Sequence, residues 1–148
     1  MNYEQLEYDI VRWLSDYYWM NGIKAFVVGV SGGIDSAVVS TLCAKTELPT
    51  YVLTMPLHSK EDNTILSDAH AQHLVENYSN VTIVNVDLSE TYDKLMLHVD
   101  DTFTGNELAN ANTKSRLRMV TLYQIAGSVG GIVVGTGNKV EDYGVGFF

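Results

Sequence analysis

Four short runs of mostly apolar, often β-branched residues punctuate the chain: KAFVVGV at 24–30, YVLTMPL at 51–57, VTIVNV at 81–86 and IVVG at 132–135. Strands buried on both faces have this near-continuous apolar character. Segments of helical length lie between and before them. Leu6, Ile10, Leu14 and Tyr17 recur at helical spacing within 3–20, and Asn21-Gly22 supplies the stop. Further helices are expected at 35–45, at 61–77 with Ile65, Ala69, Leu74 and Val75 facing inward, at 89–99, and at 107–129 with an end near Gly130-Gly131. DDTFTGNE at 100–107 is polar and turn-rich. Strands that alternate with helices need crossover connections. The expected fold is therefore α/β, a doubly wound parallel sheet with helices on both faces. Such sheets take their ligands at the carboxyl ends of the strands. The chemically suggestive residues fall there: 31–36 after the first run, 58–63 after the second and 136–142 after the fourth.

The charge balance narrows the ligands. Eighteen acidic against nine basic residues leave a formal charge of −9, which argues against non-specific binding to nucleic acid. A polyanion would have to be held locally, by backbone amides, metal ions and a few placed cations. The 148 residues suffice for one domain. No apolar run approaches the roughly 20 residues that span a bilayer, so no membrane role is expected. The start, MNYEQLEYD, lacks the features of a signal peptide. A single cysteine, Cys43, allows no internal disulfide and suits a cytoplasmic setting, with core filling as its role. His70, His73 and His98 lack cysteines or paired carboxylates at zinc spacing and read as surface residues. The aromatic group Trp13, Tyr17, Tyr18 and Trp19 has two readings: core packing, or a partner helix across a dimer interface. The ending GVGFF brings no capping element, which is unexpected for an intact domain.

Residues 29–36 read Gly29-Val30-Ser31-Gly32-Gly33-Ile34-Asp35-Ser36, after a strand and opening a helix. Gly32 and Gly33 permit a tight turn and close approach of a ligand. The amides that follow begin a helix, whose free N–H groups and positive dipole end favour an anion. Ser31 and Ser36 add hydroxyls. Asp35, a carboxylate beside a phosphate pocket, makes sense chiefly as a ligand for Mg²⁺. The bland alternative is a glycine-rich turn with Asp35 as a helix cap. The segment is neither a Walker A loop, since Gly-Lys-Ser/Thr is absent, nor a G-x-G-x-x-G dinucleotide fingerprint.

The string SGGIDS resembles the PP-loop of the N-type ATP pyrophosphatases, which cleave ATP between the α and β phosphates. Two later segments resemble the ammonia-dependent NAD synthetases within that superfamily. One is Asn112-Thr113-Lys114-Ser115-Arg116-Leu117-Arg118-Met119 followed by Tyr123, and the other is Gly135-Thr136-Gly137-Asn138-Lys139-Val140-Glu141. Taken alone, the first is equally a solvated basic helix face and the second a plain turn. The resemblance covers nearly the whole chain and the first half to two-thirds of a family member. It implies an adenine nucleotide alpha hydrolase-like fold and a single synthetase domain over 1–148 that is incomplete at its C-terminal side. It implies ATP contacts from 29–36 and Thr136, a deamido-NAD contact from Arg116, Mg²⁺ held by Asp35 and Glu141, and a homodimer. Two residues turn a helix by about 200°, so Arg118 points away from Arg116 and is expected to support structure through a carboxylate or backbone partner. The loop after the second strand is where this fold receives adenine, with Met55 and Leu57 as walls and His58 within reach, or else it is an ordinary polar loop. The implied reaction amidates deamido-NAD to NAD with ATP and ammonia, through an adenylated intermediate and with no covalent protein nucleophile. No glutaminase sequence is present, so free ammonia is the expected nitrogen source. The alternatives are another PP-loop ligase or an inactive nucleotide-binding fragment.

Overall fold

A computed structural model of the chain describes residues 2–59 and 61–145. The last three residues of the GVGFF ending lie outside the described residues. Helix α1 (Tyr3–Met20) leads into strand β1 (Phe26–Val30), and α2 (Ile34–Ala44), β2 (Thr50–Thr54), α3 (Glu61–Asn77), β3 (Val81–Asn85), α4 (Ser89–Leu97), α5 (Glu107–Val129) and β4 (Ile132–Val133) follow. A single 3₁₀ turn, Asp101–Phe103, interrupts the polar stretch between α4 and α5. The strands form one all-parallel sheet in the order β3-β2-β1-β4. This is the expected doubly wound architecture.

Local chemistry sets the boundaries. Asn2 caps α1 by accepting the Gln5 amide, and Asn106 caps α5 by accepting the amide of Ala109. Gly130 ends α5 with φ +66°, the left-handed position that commonly closes a helix. The second strand, expected to reach Leu57, stops at Thr54. Pro56 has no N–H to give to the ladder, and its carbonyl instead accepts from the amide of Leu88. Strand β4 is also shorter than expected. It pairs with β1 only at Phe26↔Ile132 and Val27↔Val133, after which the two strands part.

The apolar residues of β1 alternate between two layers. Phe26, Val28 and Val30 face α1, α2 and α3, where they meet Leu14, Tyr18, Cys43, Ala44 and Leu74. Val27 faces α4 and α5, with Leu53, Tyr92 and Ala126 around it. Phe26, Leu53 and Leu74 are at most 1% exposed, and burial of each contributes about 1.5–3 kcal/mol over leaving it in water. Cys43 is fully buried as expected, and that burial pushes its thiol pKa up to about 12.

The inner face of α3 differs from expectation. Ser67, Ala71 and Leu74 are buried, whereas Ile65, Ala69 and Val75 are exposed. His70, expected at the surface, is half-buried with Nε2 at 2.9 Å from Ser40 Oγ. The Ser40 hydroxyl also lies within hydrogen-bond distance of the Ser36 carbonyl at 2.8 Å and the Ala37 carbonyl at 3.2 Å. Burial first, and the neighbouring His73 second, hold the His70 pKa below its ordinary value. Of the aromatic group on α1, only Tyr18 is buried. Trp13 is stacked on Tyr17 at 5.4 Å, and both face solvent with Trp19. Among the described residues no helix is long and apolar enough to cross a membrane.

Candidate functional site

The chain runs outward from β1 through β2 to β3, then returns to place β4 on the other side of β1. The connections leaving β1 and β4 therefore diverge, and a crevice opens between their carboxyl ends. Both glycine-rich segments of the sequence enter it: 31–33 after β1 and 135–138 after β4.

The loop after β1 is braced from within. Gly32 has φ +85°, a conformation L residues rarely adopt. A Cβ there would lie 2.7 Å from the Asn63 carbonyl oxygen. Ser36 is buried, and its hydroxyl donates to the Gly33 carbonyl at 2.9 Å while accepting the Ser31 amide at 3.2 Å. The Ser31 hydroxyl in turn accepts the Gly33 amide at 3.2 Å. Ser36 thus shapes the loop rather than offering its hydroxyl outward, a role that sequence spacing could not separate from ligand contact. Helix α2 starts at Ile34 with Gly33 as N-cap and no side chain capping it. The first-turn amides at Ile34, Asp35 and Ser36 consequently form an anion-seeking end, and the helix dipole adds to it.

Asp35 and Glu141, 106 positions apart in sequence, meet on one residue. Asn138 Nδ2 donates to Asp35 Oδ2 at 3.1 Å, and the Asn138 amide donates to Glu141 Oε2 at 3.2 Å. Among the described residues no group of three or more His, Cys, Asp or Glu is placed to hold a metal ion. A pair of hard carboxylate donors beside an anion-seeking helix start fits a magnesium ion, which takes one or two carboxylates and fills its other positions with phosphate and water oxygens.

At the same edge of the sheet lies a cavity of about 360 Å³. Gly29, Val30, Ser31 and Thr136 line it from the ends of β1 and β4, and Met55 and Pro56 line it after β2. The absence of a side chain at Gly29 matters here: a Cβ would come within 3.2 Å of Met55 Cε and 3.4 Å of Leu122 Cδ1. Gly32, Gly33 and Ile34 line a smaller hollow of about 260 Å³ on the α3 side of the loop, with Leu66 and His70.

Three expectations around this cavity change. Leu57 is 1% exposed and belongs to the core, so it walls no ligand. His58 is turned away from the cavity lining. Its ring lies 2.7 Å from Asp93 and edge-on to Tyr92. Arg118 does find the expected backbone partner, its Nε donating to the Met55 carbonyl at 3.0 Å, but it also lines the cavity. It is half-buried, and desolvation lowers its pKa from a very high starting value, so the guanidinium keeps its charge. None of the ion pairs among the described residues involves it. An unpaired cation facing a cavity in an acidic protein favours an anionic occupant. Arg116 sits on the opposite, exposed side of α5, donates to the Asn112 carbonyl at 3.1 Å, and is outside the cavity lining. The two arginines therefore do not share one pocket, as the helical spacing requires.

Comparisons with known proteins converge. The family model described as NAD synthase matches residues 6–148. The NH₃-dependent NAD⁺ synthetase of Finegoldia magna is 35% identical over 144 residues, which are 95% of this chain and 56% of that protein. The NH₃-dependent NAD⁺ synthetase of Carboxydothermus hydrogenoformans is 33% identical over 95% of this chain and 57% of its own length. A solved structure of NMN synthetase from Francisella tularensis superposes with a TM-score of 0.88 at 31% identity, covering 100% of this chain and 59% of that one. The chain thus spans somewhat more than half the length of the curated relatives it matches.

Proposed function

The chain belongs to the NAD synthase family, and from that premise we propose that the protein carrying it amidates deamido-NAD to NAD, using ATP and ammonia and releasing AMP and pyrophosphate. The observation that carries this reading is the convergence of a braced glycine loop, an uncapped helix start and two carboxylates at one crevice of a parallel sheet.

The chemistry follows from those parts. A carboxylate is a poor acyl donor, so the nicotinate carboxylate first attacks the α-phosphorus of ATP and pyrophosphate leaves. Ammonia then attacks the adenylated carbonyl and AMP leaves. The protein contributes position and charge compensation. The first-turn amides of α2 hold the departing pyrophosphate, and the Ser31 and Ser36 hydrogen bonds keep the loop in place for it. Gly29, Val30, Ser31 and Thr136 wall the nucleotide, with Arg118 supplying a fixed positive charge at the cavity. Asp35 and Glu141 would hold Mg²⁺, which when bound neutralises charge on the phosphates.

The test is AMP formation from ATP, Mg²⁺, deamido-NAD and ammonium. AMP should appear only when all four are present, and AMP formation independent of deamido-NAD would refute the assignment. The likeness to the Francisella NMN synthetase gives a second reading, in which the amidated substrate is the mononucleotide nicotinate mononucleotide. Running both acceptors in the same assay separates the two by kcat/KM.

The resemblance of the 112–119 segment to the family assigns Arg116 to the dinucleotide, and its exposed place outside the cavity leaves it free for a second ligand. Arg116→Ala should raise the KM for deamido-NAD at least about tenfold, the loss of one charged hydrogen bond, and leave the KM for ATP near its original value. Equal changes in both would remove Arg116 from the dinucleotide site. We also place the protein in the cytoplasm as a homodimer. Exposed apolar side chains support the dimer: Trp13 and Trp19 on α1, and Met119, Val120 and Tyr123 on α5. Sedimentation of the full-length protein as a monomer at micromolar concentration would exclude the dimer.

A further inference from the structure

Asn138 is hydrogen-bonded through its side chain and through both of its backbone groups. Its side-chain oxygen accepts the amides of Val140 at 3.0 Å and Glu141 at 3.1 Å, which fixes the turn that presents Glu141. Its side-chain nitrogen donates to Asp35 Oδ2 at 3.1 Å, and its own amide donates to Glu141 Oε2 at 3.2 Å. Its carbonyl accepts from the amide of Asp142 at 2.9 Å.

We propose that Asn138 is the positioning residue of the magnesium site, aligning the Asp35 and Glu141 carboxylates by donating one hydrogen bond to each. The proposal rests on the functional reading above. Two carboxylates brought together repel each other, and free side chains would rotate apart. The side-chain nitrogen of Asn138 supplies the donor to Asp35 and the backbone N–H of the same residue the donor to Glu141, and neither adds charge. Only asparagine meets the geometry: the oxygen needed for the turn and the nitrogen needed for Asp35 sit on one short, planar group. Aspartate would keep the acceptor but lose the donor, and glutamine would displace both. Asp35 Oδ1 and Glu141 Oε1, which these two hydrogen bonds do not use, would be the oxygens offered to the ion. Groups of this kind, which orient metal ligands without touching the metal, typically set affinity by about 10–100-fold.

The experiment measures Mn²⁺ binding to the full-length protein with ATP present, from the enhancement of water-proton relaxation over that of the same Mn²⁺ and ATP without protein, with no turnover required. Asn138→Ser retains a short acceptor for the turn but cannot reach Asp35, and Asn138→Ala loses both functions. Both variants should raise the Mn²⁺ dissociation constant at least about tenfold. In steady state, Asn138→Ser should raise the Mg²⁺ concentration for half-maximal rate and recover most of kcat at saturating Mg²⁺. Asn138→Ser with unchanged Mn²⁺ affinity would overturn the positioning role. Failure of the unsubstituted protein to bind Mn²⁺ in the presence of ATP would overturn the metal assignment itself, and the role of Asn138 with it.

Discussion

Asp35→Asn in the full-length protein should abolish ATP-dependent pyrophosphate release while leaving the fold intact. The substitution keeps the size and shape of the side chain, and a carboxamide oxygen at 35 can still accept from Asn138. What it removes is the negative charge at the first turn of α2, beside the uncapped amides. The loss in turnover should be on the order of 10³-fold, the scale for removing one element of preorganised electrostatics at a reacting phosphate. The cost in stability should be less than about 1 kcal/mol, because Asp35 is exposed and its favourable interaction with the helix dipole is of that size. Pyrophosphate release and thermal unfolding, measured on the same preparation, separate these outcomes. Undiminished release would mean that the acid at 35 serves only the dipole of α2. A large fall in melting temperature would assign Asp35 to the fold rather than to the site.

Much of this molecule was legible in its sequence, for identifiable reasons. The strands announced themselves because β1 and β2 are buried on both faces and tolerate only apolar, mostly β-branched side chains at most positions. The tight turn after β1 was legible because backbone chemistry dictates it: a left-handed turn residue favours glycine, and Gly32 does have positive φ. The inner face of α3 was not legible. It is built from Ser67, His70, Ala71 and Leu74, of which two are polar, because part of that face borders the site rather than the core. A hydrophobic periodicity has nothing to detect there. Helical spacing counted back from Leu74 does pick out this face, but the polar side chains at 67 and 70 carry the signature of solvent.

The site itself divides in the same way. Asp35 and Glu141 could be paired from sequence, since both follow strands at the same edge of the sheet. Their shared partner could not, because the role of Asn138 depends on a hydrogen bond across 103 positions. Arg118 was half-legible. Its backbone partner was expected from its direction on the helix, but its place in the cavity depends on how α5 crosses β1, through the gap left by Gly29. Leu57 and His58 were misplaced for a single reason. Pro56 ends the strand early and turns the chain, so Leu57 enters the core and His58 is drawn to α4, where Ser89 accepts its amide at 3.2 Å and Asp93 takes its ring.

Gly32→Ala should be almost as damaging to activity as loss of the acid, by a different route. The new methyl group would stand 2.7 Å from the Asn63 carbonyl oxygen and 3.3 Å from Leu66 Cβ, on the first two turns of α3. Neither is the far end of a flexible side chain, so the loop and α3 must separate. The backbone would also hold φ +85°, a left-handed conformation that costs a residue with a Cβ roughly 1–2 kcal/mol. Relief of either strain moves Ser31 and the start of α2, the atoms that are to grip pyrophosphate. A displacement of about 1 Å at a catalytic constellation costs on the order of 10²-fold in rate. Gly33→Ala is the control. Its φ is −86°, and its Cβ would meet only Ser31 Oγ at 3.3 Å, so stability should change by less than about 1 kcal/mol. Equilibrium binding of ATP and pyrophosphate release should therefore collapse in the first variant and largely survive in the second. Undiminished binding and release in both variants would show that the loop does not need its tight turn, and the phosphate-gripping role would have to be given up.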